Sequence, residues 1–594
     1  MAASVCPRSR WIDTAQERLG HGAIWLAVGP VLALGLALRL ATITGKHSLQ
    51  GDEAVSYLAA TGHQRTYAQA AAIGLSGRWV PARLWKSYLH PDGFWGFTRI
   101  RVGLNSTDNH PPLYFWLLHL WVWVFGVHLW SGPLLNTLLA LGTGLALFLL
   151  ARRVLRSELQ ASLVTALWIV SHQVVTVSMW ARDYELLALF GVLLALVLHR
   201  LVDTSRESKW PDAGCLAFAV AGALLSHYEA ALFVLVAIVA AGLIVVWQHC
   251  ARRLWHLLVG GALGLAAFVV LDPGFLASFE RQRGQTSALH VPAILARLGN
   301  TISSLESFYW WIHQPPLEAT TRAYGRGRPE ALAILALLVA ALLVLAAVPN
   351  ARHRLARWVR RRTACDWLLV AVGLAAAATT LGGYLLMQVP VYAMGTRYLA
   401  LLWPFLALGT VCVLRLLPRS SLLMAVFIVL FVVAPMTIHG FVAAGRGDRP
   451  LTPPAGTRAI VFDNCSRIIL PRSLWSVPDD TLVFAGRQST LLQTYGLVTL
   501  GFSAQTILKP SRALAVAACW SCSSAAASSR IWLKNSSSAS VNDVPKRWLM
   551  SSTKVESATF SSVTTALPTS VGPSSRSGWS GCSAMPPSLI FCRR

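Results

Sequence analysis

Five short polar clusters carry residue types that can do chemistry, and each sits at the end of a long apolar run. Gly51-Asp52-Glu53 sets two carboxylates side by side. An aspartate there can take a proton from an attacking hydroxyl or share a divalent cation with partners elsewhere. In Asp108-Asn109-His110-Pro111-Pro112 the prolines mark a helix start. His110, biased to extended backbone by the following proline, could hydrogen-bond a phosphate or a sugar. Ala181-Arg182-Asp183-Tyr184-Glu185 packs four functional side chains into one turn. Asp183 and Glu185 could join Asp52 around a cation or an acceptor, and Arg182 and Tyr184 could hold an anion. Ser226-His227-Tyr228-Glu229 and Gly395-Thr396-Arg397-Tyr398 interrupt later runs. The guanidinium fork of Arg397 matches phosphate oxygens. Arg39, within the last turn of the first run, is a further phosphate ligand if it faces inward and a snorkelling side chain if it does not. Every cluster also has a plainer role as solvated loop charge, helix-start signal or interfacial anchor.

The elements that must position these residues follow from composition. Of 594 residues, 55% are hydrophobic and 13% charged, the latter about half of the roughly 25% usual in soluble domains. A soluble domain cannot hide that much apolar surface, so the composition excludes a soluble enzyme, a disordered chain and a collagen-like one. It leaves an integral membrane protein, with many of the 24 tryptophans near the ends of apolar runs, where indoles sit at headgroup level. The net charge of +26 comes largely from arginines clustered in short loops, which the positive-inside rule explains without nucleic acid. The ten cysteines are scattered and imply neither a metal site nor a disulfide framework.

Long apolar runs occur at about 23–43, 132–150, 160–180, 184–201, 213–226, 229–247, 255–272, 330–348, 366–386, 398–414 and 421–440, and are read as spans. The run Leu113–Phe125 is short of the ~20 residues needed. If it crossed, Arg152, Arg153, Arg156, Arg252, Arg253 and the block at 352–362 would all face outward. If it lies at the interface, all face inward. The expected fold is therefore an all-α polytopic membrane protein of about 11 spans, with juxtamembrane helices in the outer loop 44–131 and a large outer loop at 273–329. Residues 1–22 are the cytoplasmic N-terminus and 23–440 the transmembrane domain, with the polar clusters at its outer face. Short β-like runs at 441–508 predict a small outer domain of α/β or β-containing type, and the serine-rich 509–594 reads as a disordered or frame-shifted tail. Gly-rich phosphate loops, a G-x-S-x-G elbow and an H-E-x-x-H helix are absent from the sequence.

Taken in order, GDEA, NHPPLYFWLLHLW, ARDYELLALF, SHYEAALFVL and GTRYLALLWPFLAL resemble the GT-C membrane glycosyltransferases. They look most like the bacterial protein O-mannosyltransferase-like group that includes the lipopolysaccharide sugar transferases and aminoarabinose transferases. The resemblance covers about 20–440. It implies a polyprenyl-phosphate-linked sugar donor, an acceptor that is an envelope glycan, lipid or protein, and action at the outer face of the inner membrane. It implies Asp52 as the catalytic acid of the first loop with Glu53 beside it, and Asp183, or Glu185 in its place, as the acid of the second. His110 belongs to the juxtamembrane segment. Arg39, Arg182, Tyr184, Glu185, His227, Tyr228, Arg397 and Tyr398 are the remaining candidate substrate ligands. A divalent metal, with Asp52, Asp183 and Glu185 as its candidate ligands, stays open, and no other cofactor is implied. The alternative function is transport or flipping of a lipid-linked sugar, for which the paired discontinuous helices of two related halves are not evident in the sequence.

Overall fold

The structure, a computed structural model, describes residues 10–49, 51–283, 363–386, 396–415, 420–429, 433, 459–462, 470–485, 532–535 and 589–593. The chain folds as two units. One comprises Met1–Gln69, Trp85–Leu451 and Arg467–Ser476, and the other Ala70–Leu84, Thr452–Ser466 and Val477–Arg594.

The first unit is mostly helical. Among its described residues, five helices are long and apolar enough to cross a membrane: Trp25–Thr44, Ser131–Leu155, Tyr184–Val202, Ala230–Trp247 and Ala251–Leu271. The expected span at 160–180 is two helices, Glu158–Ile169 and His172–Ser178, bent by 58° at a break that holds the polar Ser171. Together they make a sixth. Trp210–Ser226, Ala364–Thr380 and Trp403–Leu414 are shorter apolar helices. The run at 330–348 and half of 421–440 lie outside the described residues. The described residues thus account for up to six full-length spans, against the eleven the sequence predicts.

Local sequence explains the helix ends. Ser157 caps Glu158–Ile169 by accepting from the Gln160 N–H. Proline occupies the first turn of Trp210–Ser226 and of Trp403–Leu414, where its missing N–H costs no bond. The faces left open are apolar. Leu235, Leu243 and Val270 are each more than 60% exposed, which water would penalise and lipid chains would not.

Several helix ends meet at one end of this bundle. The Lys46 ammonium, just past the first long helix, reaches both Glu53 and the Met179 carbonyl. Tyr184 packs on His227 and on Tyr398. The arginine-rich turns gather elsewhere: Arg200 pairs with Asp212, and Arg253 donates to the Arg206 carbonyl. The helix Leu113–Phe125 has 13 residues, about 20 Å of rise against the ~30 Å of a bilayer core. Both its ends are held by neighbouring elements of the first unit. The ring of His110, before it, meets that of His227 edge to face, and the carbonyl of His128, beyond it, accepts from the hydroxyl of Tyr57 in helix Gly51–Ala60.

The second unit holds a five-stranded sheet of β1 (Trp79–Pro81), β2 (Ala459–Phe462), β3 (Leu482–Ala485), β4 (Trp532–Asn535) and β5 (Leu589–Arg593), ordered β1-β3-β2-β5-β4. β1 pairs with β3 antiparallel and the other neighbours are parallel. The sheet therefore draws one strand from the segment 44–131 and two from the serine-rich tail. The rest of the tail lies outside the described residues.

Candidate functional site

Asp52 occupies the first turn of helix Gly51–Ala60, the end at which a carboxylate is favoured. Its carboxylate accepts a hydrogen bond from Arg397, on the 3-10 turn Thr396–Leu399, and lies 3.5 Å from an Arg182 guanidinium nitrogen. Arg182 belongs to the turn before helix Tyr184–Val202, and the Asn136 side-chain amide holds that turn by donating to the carbonyls of Trp180 and Arg182. The Arg397 guanidinium lies 5.2 Å from the Tyr398 ring and 5.9 Å from the Trp180 ring, so aromatic faces wall it. Of the three charged side chains, Asp52 is the most open at 34% exposed, against 17% for Arg397 and 8% for Arg182.

Burial raises the Asp52 pKa, but the charges of Arg182 and Arg397 outweigh it and hold the carboxyl below the usual carboxylate range. Burial likewise lowers Arg182, and the surrounding acids, Asp52 first, more than restore it. The group is thus a carboxylate clasped by two fixed cations. It can bind a phosphate through the guanidinium groups, and it can accept a hydrogen bond from a hydroxyl at the carboxylate.

Glu53 points the other way. It is fully buried, paired with Lys46 through both oxygens at 2.7 Å, and accepts from the Ala181 N–H at 3.1 Å. Adjacent helical residues point about 100° apart, which sends Asp52 to the opening and Glu53 to the interior. Arg39 and Glu185 meet inside the bundle. Arg39 donates to the Ile169 carbonyl freed by the helix break and to Ser178, and Ser178 donates to Glu185 at 2.6 Å. Tyr228 donates to Asp272 at 2.7 Å, and Asp272 also accepts from Asn105. The clusters around Ser178 and around Asp272 have their own partners and are distinct from the pairing at Asp52.

Asp52, Asp183 and Glu185 do not form a shared cation cage. Among the described residues, the carboxylate and imidazole groups that converge are His110, Asp183 and His227, with one ligand atom from each lying within 4.8 Å of the others. Asp108 holds His110 by accepting from Nδ1 at 2.7 Å. Burial lowers the His110 pKa, but Asp108 and Asp183 more than reverse that and leave it raised.

Reading the sequence missed Lys46, Asp108 and Asn136 as supports of the site. Asn136 carried a usable signal, a side-chain amide in the first turns of an apolar run. Gly132 supports the same turn: a Cβ there would meet the Ala181 Cβ at 2.3 Å, and its N–H donates to the Tyr57 hydroxyl.

Residues 109–271 match the family model described as dolichyl-phosphate-mannose-protein mannosyltransferase. That segment contains the HPP, ARDYE and SHYE clusters, so the likeness to GT-C membrane glycosyltransferases carried by these motifs holds over it. No curated protein matches the chain. Among solved structures, ArnT from Cupriavidus metallidurans bound to undecaprenyl phosphate is similar at 16% identity and a TM-score of 0.36, over 79% of this chain and 88% of that one.

Proposed function

We propose that the protein transfers a sugar from a polyprenyl-phosphate-linked donor to an acceptor hydroxyl at the outer face of the cytoplasmic membrane. The observation that carries this reading is the Asp52 carboxylate set between Arg182 and Arg397 at a bundle end, in a chain whose segment 109–271 matches a family of lipid-phosphate-sugar transferases.

A donor phosphate arriving at the two arginines competes with Asp52 for them. As the guanidinium groups turn to phosphate, the carboxylate is released toward the acceptor hydroxyl. Its hold at low pKa then relaxes and it becomes a better base. The hydroxyl oxygen attacks the anomeric carbon, the bond to the phosphate oxygen breaks, and the proton passes to Asp52. One displacement inverts the anomeric centre. The leaving phosphate gains negative charge, which Arg397 and Arg182 stabilise at the low-dielectric membrane edge. Tyr184, Tyr398 and Trp180 would wall the sugar phosphate.

The test is a proteoliposome assay with undecaprenyl-phosphate-linked hexoses and pentoses, following release of undecaprenyl phosphate and sugar transferred to lipid, glycan or protein. Transfer that Asp52→Asn abolishes while the variant still inserts supports the reading. Wild-type turnover in Asp52→Asn sinks the role of Asp52. Translocation of the intact donor without bond cleavage would favour the transporter alternative.

A further inference from the structure

Three turns far apart in sequence deliver His110, Asp183 and His227 to one point, and nothing in the proposed transfer uses them as a set. We infer that these three residues bind one divalent transition-metal cation, of the kind that accepts two imidazoles and a carboxylate. Asp183 carries the argument. Its side chain is fully buried, and neither carboxylate oxygen has a hydrogen-bond partner. An ionised carboxylate is rarely left buried without compensation. Ligand atoms of two histidines lie within 4.8 Å of it and of each other. His227 is 8% exposed, and its ring centroid lies 5.6 Å from that of His110 with the planes at 82°, so the two rings do not stack and can converge on one ion.

The surroundings favour ligation over a simple hydrogen-bonded trio. The His110 Nδ1 is bonded to Asp108, which leaves Nε2 to take the cation. Asp108 is itself fixed by the Gln64 side-chain amide at 2.9 Å, and Gln64 accepts from Thr107 at 2.9 Å. A carboxylate behind a histidine sets its tautomer and raises its basicity as a ligand. His227 has one long contact at Nδ1, from the Glu229 N–H at 3.3 Å. With the cation on Nε2, that Nδ1 would become a donor facing the Glu229 carboxylate, 3.9 Å away. Each histidine thus has an acid behind it. Two nitrogens and one oxygen suit Zn2+ and its first-row neighbours and not Mg2+ or Ca2+, which prefer all-oxygen shells. Tetrahedral ligands at about 2.0–2.1 Å from zinc lie ~3.3 Å apart, so side-chain rotation has at most about 1.5 Å to draw in. Three protein ligands leave one coordination position for water. The ion would pin the turns at 108–112, 180–184 and 226–229, and so fix the turn that presents Arg182 to Asp52.

The experiment uses full-length protein in lipid nanodiscs, stripped with chelator, titrated with Zn2+, and assayed for retained zinc and for thermal unfolding. Wild type should retain one zinc per chain, and zinc should raise its unfolding temperature. His227→Gln and Asp183→Asn should lose at least 100-fold in zinc affinity. Asp108→Asn, which removes no ligand, should lose 10- to 100-fold. Without zinc, Asp183→Asn should unfold no earlier than wild type, because a side chain of the same shape replaces a carboxyl group with no hydrogen-bond partner to lose, which also shows that it folds. Failure of wild type to retain zinc after chelator-free washing overturns the proposal. So does equal zinc affinity in wild type, Asp183→Asn and His227→Gln. None of these readouts involves sugar transfer, so the cation site and the transfer reaction are tested separately.

Discussion

Glu53→Gln tests whether the pair behind the site, and not the acid beside Asp52, sets its geometry. Glu53 is fully buried and Lys46 is 10% exposed, with Nζ 2.7 Å from both carboxylate oxygens. Lys46 also donates to the Met179 carbonyl, and Glu53 accepts from the Ala181 N–H, so the pair grips the turn just before Arg182 from both sides. Removing one member of a buried pair costs about 3–5 kcal/mol because it strands the other charge. Glu53→Gln should fall at the low end, about 3 kcal/mol, since the amide oxygen still accepts from Ala181 and Lys46 can lean toward water. Lys46→Met should fall at the high end, about 5 kcal/mol, because it leaves a carboxylate with no route to solvent. Lys46→Met with Glu53→Gln removes both charges and should cost less than Lys46→Met alone. The measurement is the midpoint of denaturant unfolding in detergent micelles for the four proteins of the cycle, with transfer normalised to folded protein. Strictly additive costs would refute the pairing argument. A Glu53→Gln variant of unchanged stability but no turnover would return Glu53 to the catalytic group.

Three further outcomes are expected. Arg397→Ala should lower transfer efficiency about 30- to 1000-fold, the equivalent of ~2–4 kcal/mol for a truncated buried charge contact, while Arg397→Lys keeps part of it; equal activity per monodisperse molecule would make Arg397 a membrane anchor. Because its two arginines hold Asp52 below the usual carboxylate range, its ionised form and the ion pairs it makes persist as pH falls through that range and are lost only at more acid pH, whereas in Arg397→Ala the acid limb of transfer should move toward neutral pH; an unmoved limb would detach Asp52 from the rate. Single cysteines at positions 105 and 128 should label from the same face of the membrane, and labelling from opposite faces would mean that Leu113–Phe125 crosses.

Much of the fold was legible because lipid and protein interior reward the same thing, a run of apolar residues between polar stops. Trp25–Thr44, Ser131–Leu155 and Ala251–Leu271 follow from that alone. The bend at Ser171 did not, because hydropathy is blind to direction: a few polar residues inside an apolar run are compatible with a straight span. What breaks the helix becomes visible only when the Ile169 carbonyl is seen accepting from Arg39, a partner from the first long helix. The sheet was less legible still, since β1 and β3 lie on opposite sides of the helical region in sequence and no local pattern announces their pairing.

The site was legible as a set of places and not as a set of partners. Polar residues at the ends of apolar runs marked Asp52, Arg182, Asp183, His227 and Arg397, but which of them share an ion or a proton depends on turns brought together only by folding. That distinction decides the charge balance. Asp52 with Arg182 and Arg397 leaves one net positive charge. A sugar phosphodiester carries a single negative charge, and the phosphomonoester released by transfer carries about −1.5 to −2. Under the proposed transfer, Asp52 takes the acceptor proton as the donor bond breaks, so the group passes from one net positive charge to two and matches the leaving phosphate better than the donor, which is the condition for lowering the barrier and not merely tightening binding. The bare carboxylate of Asp183, next in the chain to Arg182, would cancel that excess. A divalent cation on Asp183, His110 and His227 would remove the cancellation, so the proposed cation site and the proposed transfer place the same demand on this end of the bundle.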